Sequence, residues 1–280
     1  DRILTFQKRG GLVIGDDQLC PVIKADITLP KFARSKDAVK DKAALLKLAV
    51  NIREQLDGKY DRVVDTSSPD LVPHRRRAGT SDYIFLVNDA REAGDYVGQY
   101  GRVHEFGVPT TADVRIRSNA AAVYDLVEHR AVAIRRDDGT NGITEKSAGG
   151  SDLGVARSSV IVPVTLGPGD GKLLLATARP IANATLTGPD DVVRGAAWSG
   201  RIAVTDSEGQ PIDAVIPLHI EIRDADGRAA ERSGHYGAAR GELTLKLDIA
   251  ANDKPGIWEV RVRDLAAGMQ TTKYIRVRMK

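Results

Sequence analysis

The side chains that could do chemistry in this chain are few and lie far apart. Five histidines, His74, His104, His129, His219 and His235, are dispersed. None stands at the i, i+4 spacing that lets two imidazoles on one helix face share a zinc ion. Cys20 is the single cysteine, which excludes an internal disulfide and a thiolate metal cluster. No G-x-S-x-G elbow occurs, and Ser67, Ser68, Ser158 and Ser159 lack the setting of an activated nucleophile. The acids Asp95, Glu105 and Asp125 could pair across loops as the two carboxylates of glycoside hydrolysis, but spacing in sequence does not fix a carboxylate separation.

Other motifs have plainer readings. Asp16 and Asp17 follow an apolar run, where α/β folds bind ligands, yet no second acid pair or base lies near. Gly10-Gly11 before that run lacks the G-x-G-x-x-G context of a nucleotide loop and reads as a helix stop. Asp224-Ala225-Asp226-Gly227 begins like a calcium loop, but the further oxygen ligands and the terminal Glu are missing, which leaves a tight turn. Arg75-Arg76-Arg77 reads as surface charge or an interdomain salt bridge, with Arg75 and Arg77 on one strand face and Arg76 on the other. The expectation is a chain with no catalytic residues, no metal and no cofactor. The candidate ligand-binding residues are the aromatics Tyr96, Tyr100 and Phe106, whose rings could stack on a sugar or a partner. The competing reading is that they fill an interdomain seam, because exposed aromatic clusters are unusual on monomers.

The elements that must carry these residues follow from composition and periodicity. With 280 residues the chain is long enough for two or three domains. Its 41 basic and 38 acidic residues alternate along the sequence for a net charge of +3. There is no basic stripe to neutralise phosphates, so nucleic acid is not an expected partner. No apolar run approaches the ~20 residues of a membrane span.

Three regimes follow one another. Residues 1–60 are α/β in character: Ile3 to Gly11 reads as a helix end with a Gly stop, Leu12 to Gly15 as a strand, and 35–56 as a helix. Ser35 is its expected N-cap, Val39, Leu45, Leu46, Leu48, Ile52 and Leu56 repeat at helical spacing, and Gly58 closes it. One strand and one long helix cannot build a core, so this segment is expected to pack on something else, such as preceding domains of the same polypeptide. Residues 61–178 carry short alternating runs at 71–74, 83–87, 114–117, 131–134, 160–164 and 173–175, a β-sandwich pattern, with 89–108 and 139–157 read as long loops. Residues 179–280 carry runs at 182–187, 200–205, 212–223, 242–249, 257–263 and 272–279, the pattern of an Ig-like β-sandwich. Trp258, alternating with valines, is its expected core anchor. The fold class is therefore mainly β, with a small N-terminal α/β segment and two β-sandwich domains, the C-terminal one Ig-like.

Residues Arg75 to Asp89, with their Arg, Gly and aromatic strand ending in Val87-Asn88, resemble the β-domain that follows the amidotransferase-like domain in bacterial β-galactosidase-type glycoside hydrolases. Gly10 to Asp16 and the 35–56 helix resemble the tail of that amidotransferase-like domain. The segments Asp191 to Gly195, Asp206 to Pro211, Asp224 to Gly227 and Gly256 to Val260 are similar to macroglobulin-like and other Ig-like modules of bacterial surface and secreted proteins. The resemblance implies a C-terminal accessory region of a large carbohydrate-active enzyme. In such enzymes the catalytic carboxylates sit on a barrel domain that this chain lacks, so none of its residues inherits that role. It also implies an extracellular or periplasmic location and possible contact with polysaccharide. The alternative is a free-standing cell-surface adhesion module, and a glycoside hydrolase with its own acid pair is a minor one.

Overall fold

The computed structural model describes residues 2–16, 22–35, 37–57, 59–60, 62–97, 102–137 and 159–279; of residues 38, 93, 95–97, 102–104 and 137 it describes the backbone alone. The chain packs as two compact units, Asp1–Arg62 with Arg91–Phe106, and Val63–Ala90 with Gly107–Lys280.

The first unit opens with helix α1 (Arg2–Lys8). It stops at Gly10, whose φ of +88° suits glycine, with the Gly10 and Gly11 amides donating back to Gln7 and Phe6 carbonyls. Strands β1 (Ile14–Gly15) and β2 (Ile27–Thr28) then pair in parallel. The Asp26 carboxylate holds the approach to β1, accepting from the Val13 amide at 2.9 Å and from Gln7 Nε2 at 3.0 Å. Helix α2 (Ala38–Asp57) matches the expected helix, but its cap is Asp37 rather than Ser35. Asp37 Oδ1 accepts from the amides of Val39 and Lys40, while the Ser35 amide donates to Asp41. The shorter reach of a carboxylate next to the first turn wins over the more distant hydroxyl. Gly58, the expected stop, lies outside the described residues.

Among the described residues of this unit only Ile27 is a buried apolar side chain. Along α2 the half-buried positions are Asp41, Leu48, Ile52 and Leu56, a single stripe at helical spacing, and Val39, Leu45, Leu46 and Val50 are exposed.

The second unit begins with β3 (Val64–Thr66), β4 (Leu71–Ala78) and β5 (Ser81–Asn88). The span 89–108, expected as a loop, instead carries β6 (Arg91–Val97) and β7 (Arg102–Gly107), which pair with each other and, as residues 91–106, belong to the first unit. Then come β8 (Thr110–Arg117), β9 (Ala122–Asp125), β10 (Arg130–Ala131), β11 (Arg135–Asp137), β12 (Ser159–Leu166) and β13 (Gly171–Thr177). The expected loop 139–157 lies outside the described residues. A five-stranded sheet, β10-β9-β13-β5-β4, and a four-stranded sheet, β11-β12-β8-β3, enclose one core. Alternation aims Ile84 and Leu86, Val114 and Ile116, Val160 and Val162, and Leu174 inward, all essentially free of solvent. Where the chain leaves this sandwich and returns, the neck is closed: Val108 donates its amide to the Ala90 carbonyl, and buried Asn88 donates its amide side chain to the carbonyls of Val108 and Gly167.

The rest is β14 (Asn183–Thr187), β15 (Asp191–Val193), β16 (Ala197–Thr205), β17 (Val215–Arg223), β18 (Gly234–Ala239), β19 (Glu242–Asp248), β20 (Gly256–Asp264) and β21 (Gln270–Arg278). They join as one eight-stranded sheet, β14-β16-β19-β18-β17-β20-β21-β15. Strands β18 and β19 share a single pair, Ala239↔Glu242, at the Arg240-Gly241 turn, where both residues have positive φ. The sheet folds over there, bringing β14 against β20 and β21. This gives two layers on a common core, β14-β16-β19 and β18-β17-β20-β21-β15, with β15 parallel to β21, an Ig-like sandwich. Gly241 is required at the corner, since a Cβ there would stand 2.8 Å from the carbonyl oxygens of Ile212 and Val204. Trp258 is buried as expected, its Nε1 donating to the Lys254 carbonyl. Trp198, 1% exposed, is a second anchor, its Nε1 donating to Pro189.

Candidate functional site

Of the acids considered for a minor glycoside-hydrolase reading, Asp125 and Glu105 are both in ion pairs. Asp125 closes β9, and the turn that follows draws the Val127 and Glu128 amides onto its Oδ1. Its Oδ2 lies 2.6 Å from Lys172 Nζ, which also reaches Glu128 at 3.1 Å. Burial pushes the Asp125 carboxyl up, but the Lys172 hydrogen bond and the two amides outweigh it, and the net shift is downward. Lys172 moves the opposite way: burial lowers it, and its hydrogen bonds with Asp125 and Glu128 raise it further. A carboxylate held ionised beside a lysine is not poised to donate a proton. Glu105 pairs with Arg91 across β6 and β7 at 2.7 Å. The Asp95 side chain lies outside the described residues.

Of the candidate binding aromatics, Phe106 sits on β7 and is 54% exposed as a residue. Tyr96 falls within β6, but its side chain lies outside the described residues, as does all of Tyr100. Asp17 also lies outside them. Asp224 forms the expected tight turn, its Oδ1 accepting from the amides of Asp226 and Arg228 with Gly227 at a φ of +78°. Asp206 does the same for Glu208 and Gln210. Among the described residues no group of three or more His, Cys, Asp or Glu side chains is placed to hold a metal ion. The Arg75 to Arg77 run lies within β4, where Arg75 bonds buried Asp82 on β5 at 2.7 Å. Its salt bridge is thus inside one hairpin, not between domains.

The most built feature of the second unit is the seam between its two sandwiches. The Tyr83 hydroxyl on β5 donates to the Val215 carbonyl at 2.6 Å and accepts from the Val215 amide at 2.8 Å. At the β4–β5 turn, Asp213 accepts from the Thr80 amide at 2.9 Å, and the Ser81 hydroxyl donates to the Asp213 carbonyl at 3.0 Å. Gly79, with φ of +60°, leaves the space for that carboxylate, since a Cβ there would stand 2.3 Å from Asp213 Oδ1. On the neighbouring strands Tyr124 accepts the Ile181 amide at 2.6 Å. Tyr124 and Leu175 belong to the core of the C-terminal sandwich, not to the one their strands build. Arg179, in the link between the sandwiches, pairs with Asp206 at 2.5 Å and donates to the Pro211 carbonyl. No single residue of the seam is legible from spacing, because the contacts join positions 27 to 133 residues apart.

Beyond the seam the outer face of the five-stranded sheet is open. Val72 faces Val87, and His74 faces Phe85, with ring centres 6.2 Å apart; Val72, Phe85 and Val87 are all exposed.

No protein-family model matches the chain, and no curated protein matches it. Solved structures do. A superoxide reductase (neelaredoxin) of Ignicoccus hospitalis is 15% identical over 35% of this chain and 82% of its own, with a TM-score of 0.27. The adhesin InvE of Yersinia pseudotuberculosis is 10% identical over 76% of this chain and 60% of its own, with a TM-score of 0.29. A Bacteroides fragilis protein assigned as a β-galactosidase is 14% identical over 89% of this chain and 39% of its own, with a TM-score of 0.22. These likenesses carry no functional argument.

Proposed function

We propose that the chain is a non-catalytic accessory region of a larger bacterial carbohydrate-active enzyme, acting outside the cytoplasm as a scaffold that holds protein or polysaccharide surfaces in place. The observation that supports this reading is the seam: two sandwiches share core residues and a two-way phenol hydrogen bond, as suits a rigid spacer. Glu105 and Asp125 are engaged in structural pairs. No helix among the described residues is long and apolar enough to cross a membrane. The partner for the first unit would be further domains of the same polypeptide, covering the exposed apolar side chains Ile3, Phe6, Leu45, Leu46 and Val50. Such a helix gains most of its stability from packing, which this unit offers only along one stripe. The purified chain is expected to turn over none of a broad panel of chromogenic glycosides. Turnover that disappears on replacing an Asp or Glu would refute the accessory role.

A second reading, a cell-surface binding module, is favoured by the exposed Phe106 ring. Glycan-array binding abolished by Phe106→Ala, Tyr96→Ala and Tyr100→Ala would select it.

A further inference from the structure

We propose that His219 and His235 form a two-imidazole site for one divalent transition-metal ion of the zinc or copper type on the outer face of the C-terminal sandwich. The two residues are direct partners across the antiparallel strands β17 and β18. Their neighbours Leu218 and Ile220 point into the core with no solvent exposure, so both imidazoles project from the opposite face. The ring centres are 4.9 Å apart with the planes at 46°, which is neither a parallel stack nor a perpendicular contact. Two imidazole nitrogens at about 2.0–2.1 Å from a tetrahedral ion would set their ring centres about 5 Å apart. The pair therefore already has the spacing of a chelate, although its members are 16 positions apart in sequence.

Access and electronics agree with this. Strand β18 meets β19 only at Ala239↔Glu242, so the flank of the sheet beside His235 is open, and His235 is exposed. Neither imidazole has a hydrogen bond or ion pair among the described residues, which leaves ring nitrogens for a metal. The cation nearest in register is Arg263, opposite His219 on β20. Its guanidinium lies within 4.0 Å of where a Cβ on Gly268 would be, at the β20–β21 turn. Glu221, two positions along β17, is taken up by Arg223 and by Arg261. The protein thus supplies two nitrogen donors, and water fills the remaining positions. Such an ion would be a surface-held one, since a closed structural site needs four protein ligands.

The test is isothermal titration of the metal-stripped full chain with zinc and with copper(II). One ion per chain is expected, with affinity reduced at least tenfold in His219→Ala and in His235→Ala and unchanged in His74→Ala, whose ring pairs with Phe85 elsewhere. Nitrogen hyperfine structure from two imidazoles in the copper(II) spin-resonance spectrum is the second readout. Because both side chains leave the core untouched, the variants should keep the parent circular dichroism; should one not fold, the spectrum of the parent chain decides alone. No saturable uptake by the parent, an isotherm unchanged in the double variant, or a copper spectrum without two imidazole nitrogens would overturn the site.

Discussion

One phenol oxygen, that of Tyr83, satisfies both backbone groups of Val215, a residue 132 positions away in the other sandwich. Burial raises the Tyr83 ionisation above the usual tyrosine value, outweighing the lowering by the hydrogen bond to Val215, so the hydroxyl keeps its proton and its donor role at neutral pH. Tyr83→Phe removes donor and acceptor together. The expected loss is about 1–2 kcal/mol, measured by urea denaturation, with faster proteolysis in the link around Arg179. Unchanged stability and proteolysis would mean that the shared core alone holds the seam.

Asp264 is free of solvent and receives three backbone amides, from Ala266 and Ala267 on Oδ1 and from Met269 on Oδ2. Asp264→Ala leaves these donors without an acceptor in the β20–β21 turn. A loss of at least about 2 kcal/mol is expected, read as a lower thermal midpoint, whereas a shift within error would indicate that water replaces the carboxylate.

The Asp125–Lys172 pair makes stability depend on pH at both ends. The carboxyl is depressed in the fold, so its contribution is complete above the unfolded value of about 3.9 and is lost as pH falls through the lower folded value. The ammonium is raised, so its contribution is complete below the unfolded value of about 10.4 and is lost as pH rises through the higher folded value. Asp125→Asn should cost about 1.5–3 kcal/mol at pH 7, and its deficit relative to the parent should shrink as the buffer is acidified below about pH 4. A deficit that stays constant across that range would remove the carboxylate from the account.

At Gly200 a Cβ would stand 2.2 Å from Trp198 Cη2. Gly200→Ala must displace the most buried ring of the sandwich, at a cost of about 1–3 kcal/mol. Near-ultraviolet circular dichroism should change with it. A wild-type tryptophan band in a fully stable variant would show that the β16 backbone can give way instead.

The layered β fold was legible because hydrophobic alternation is strong in the central strands: Val160, Val162 and Val164, or Val260 and Val262 beside Trp258, announce their face directly. Weakly patterned strands escaped. Strand β18, Gly-His-Tyr-Gly-Ala-Ala, has no apolar alternation and exists because β17 and the Gly241 corner offer it a partner. Strands β6 and β7 likewise lack a sustained apolar alternation, so their sequence alone predicts loop. Trp198 has no apolar alternation beside it in Ala197, Ser199 and Gly200, and it is Gly200 and Gly188, where a Cβ would stand 2.2 and 2.8 Å from the ring, that admit it. As for site residues, the acids were visible as acids, but that Asp125 meets Lys172, or that His219 faces His235, depends on strand register, which spacing along one strand does not report.

Residues 91–106 belong to the first unit yet are tethered at both ends to strands of the second, through Ala90 and Gly107. The first unit is therefore joined to the second by three peptide links, and a single break between Arg62 and Val63 leaves β6 and β7 still covalently held. Any protease, splice or evolutionary exchange that treats this region as a detachable cap has to cut it more than once.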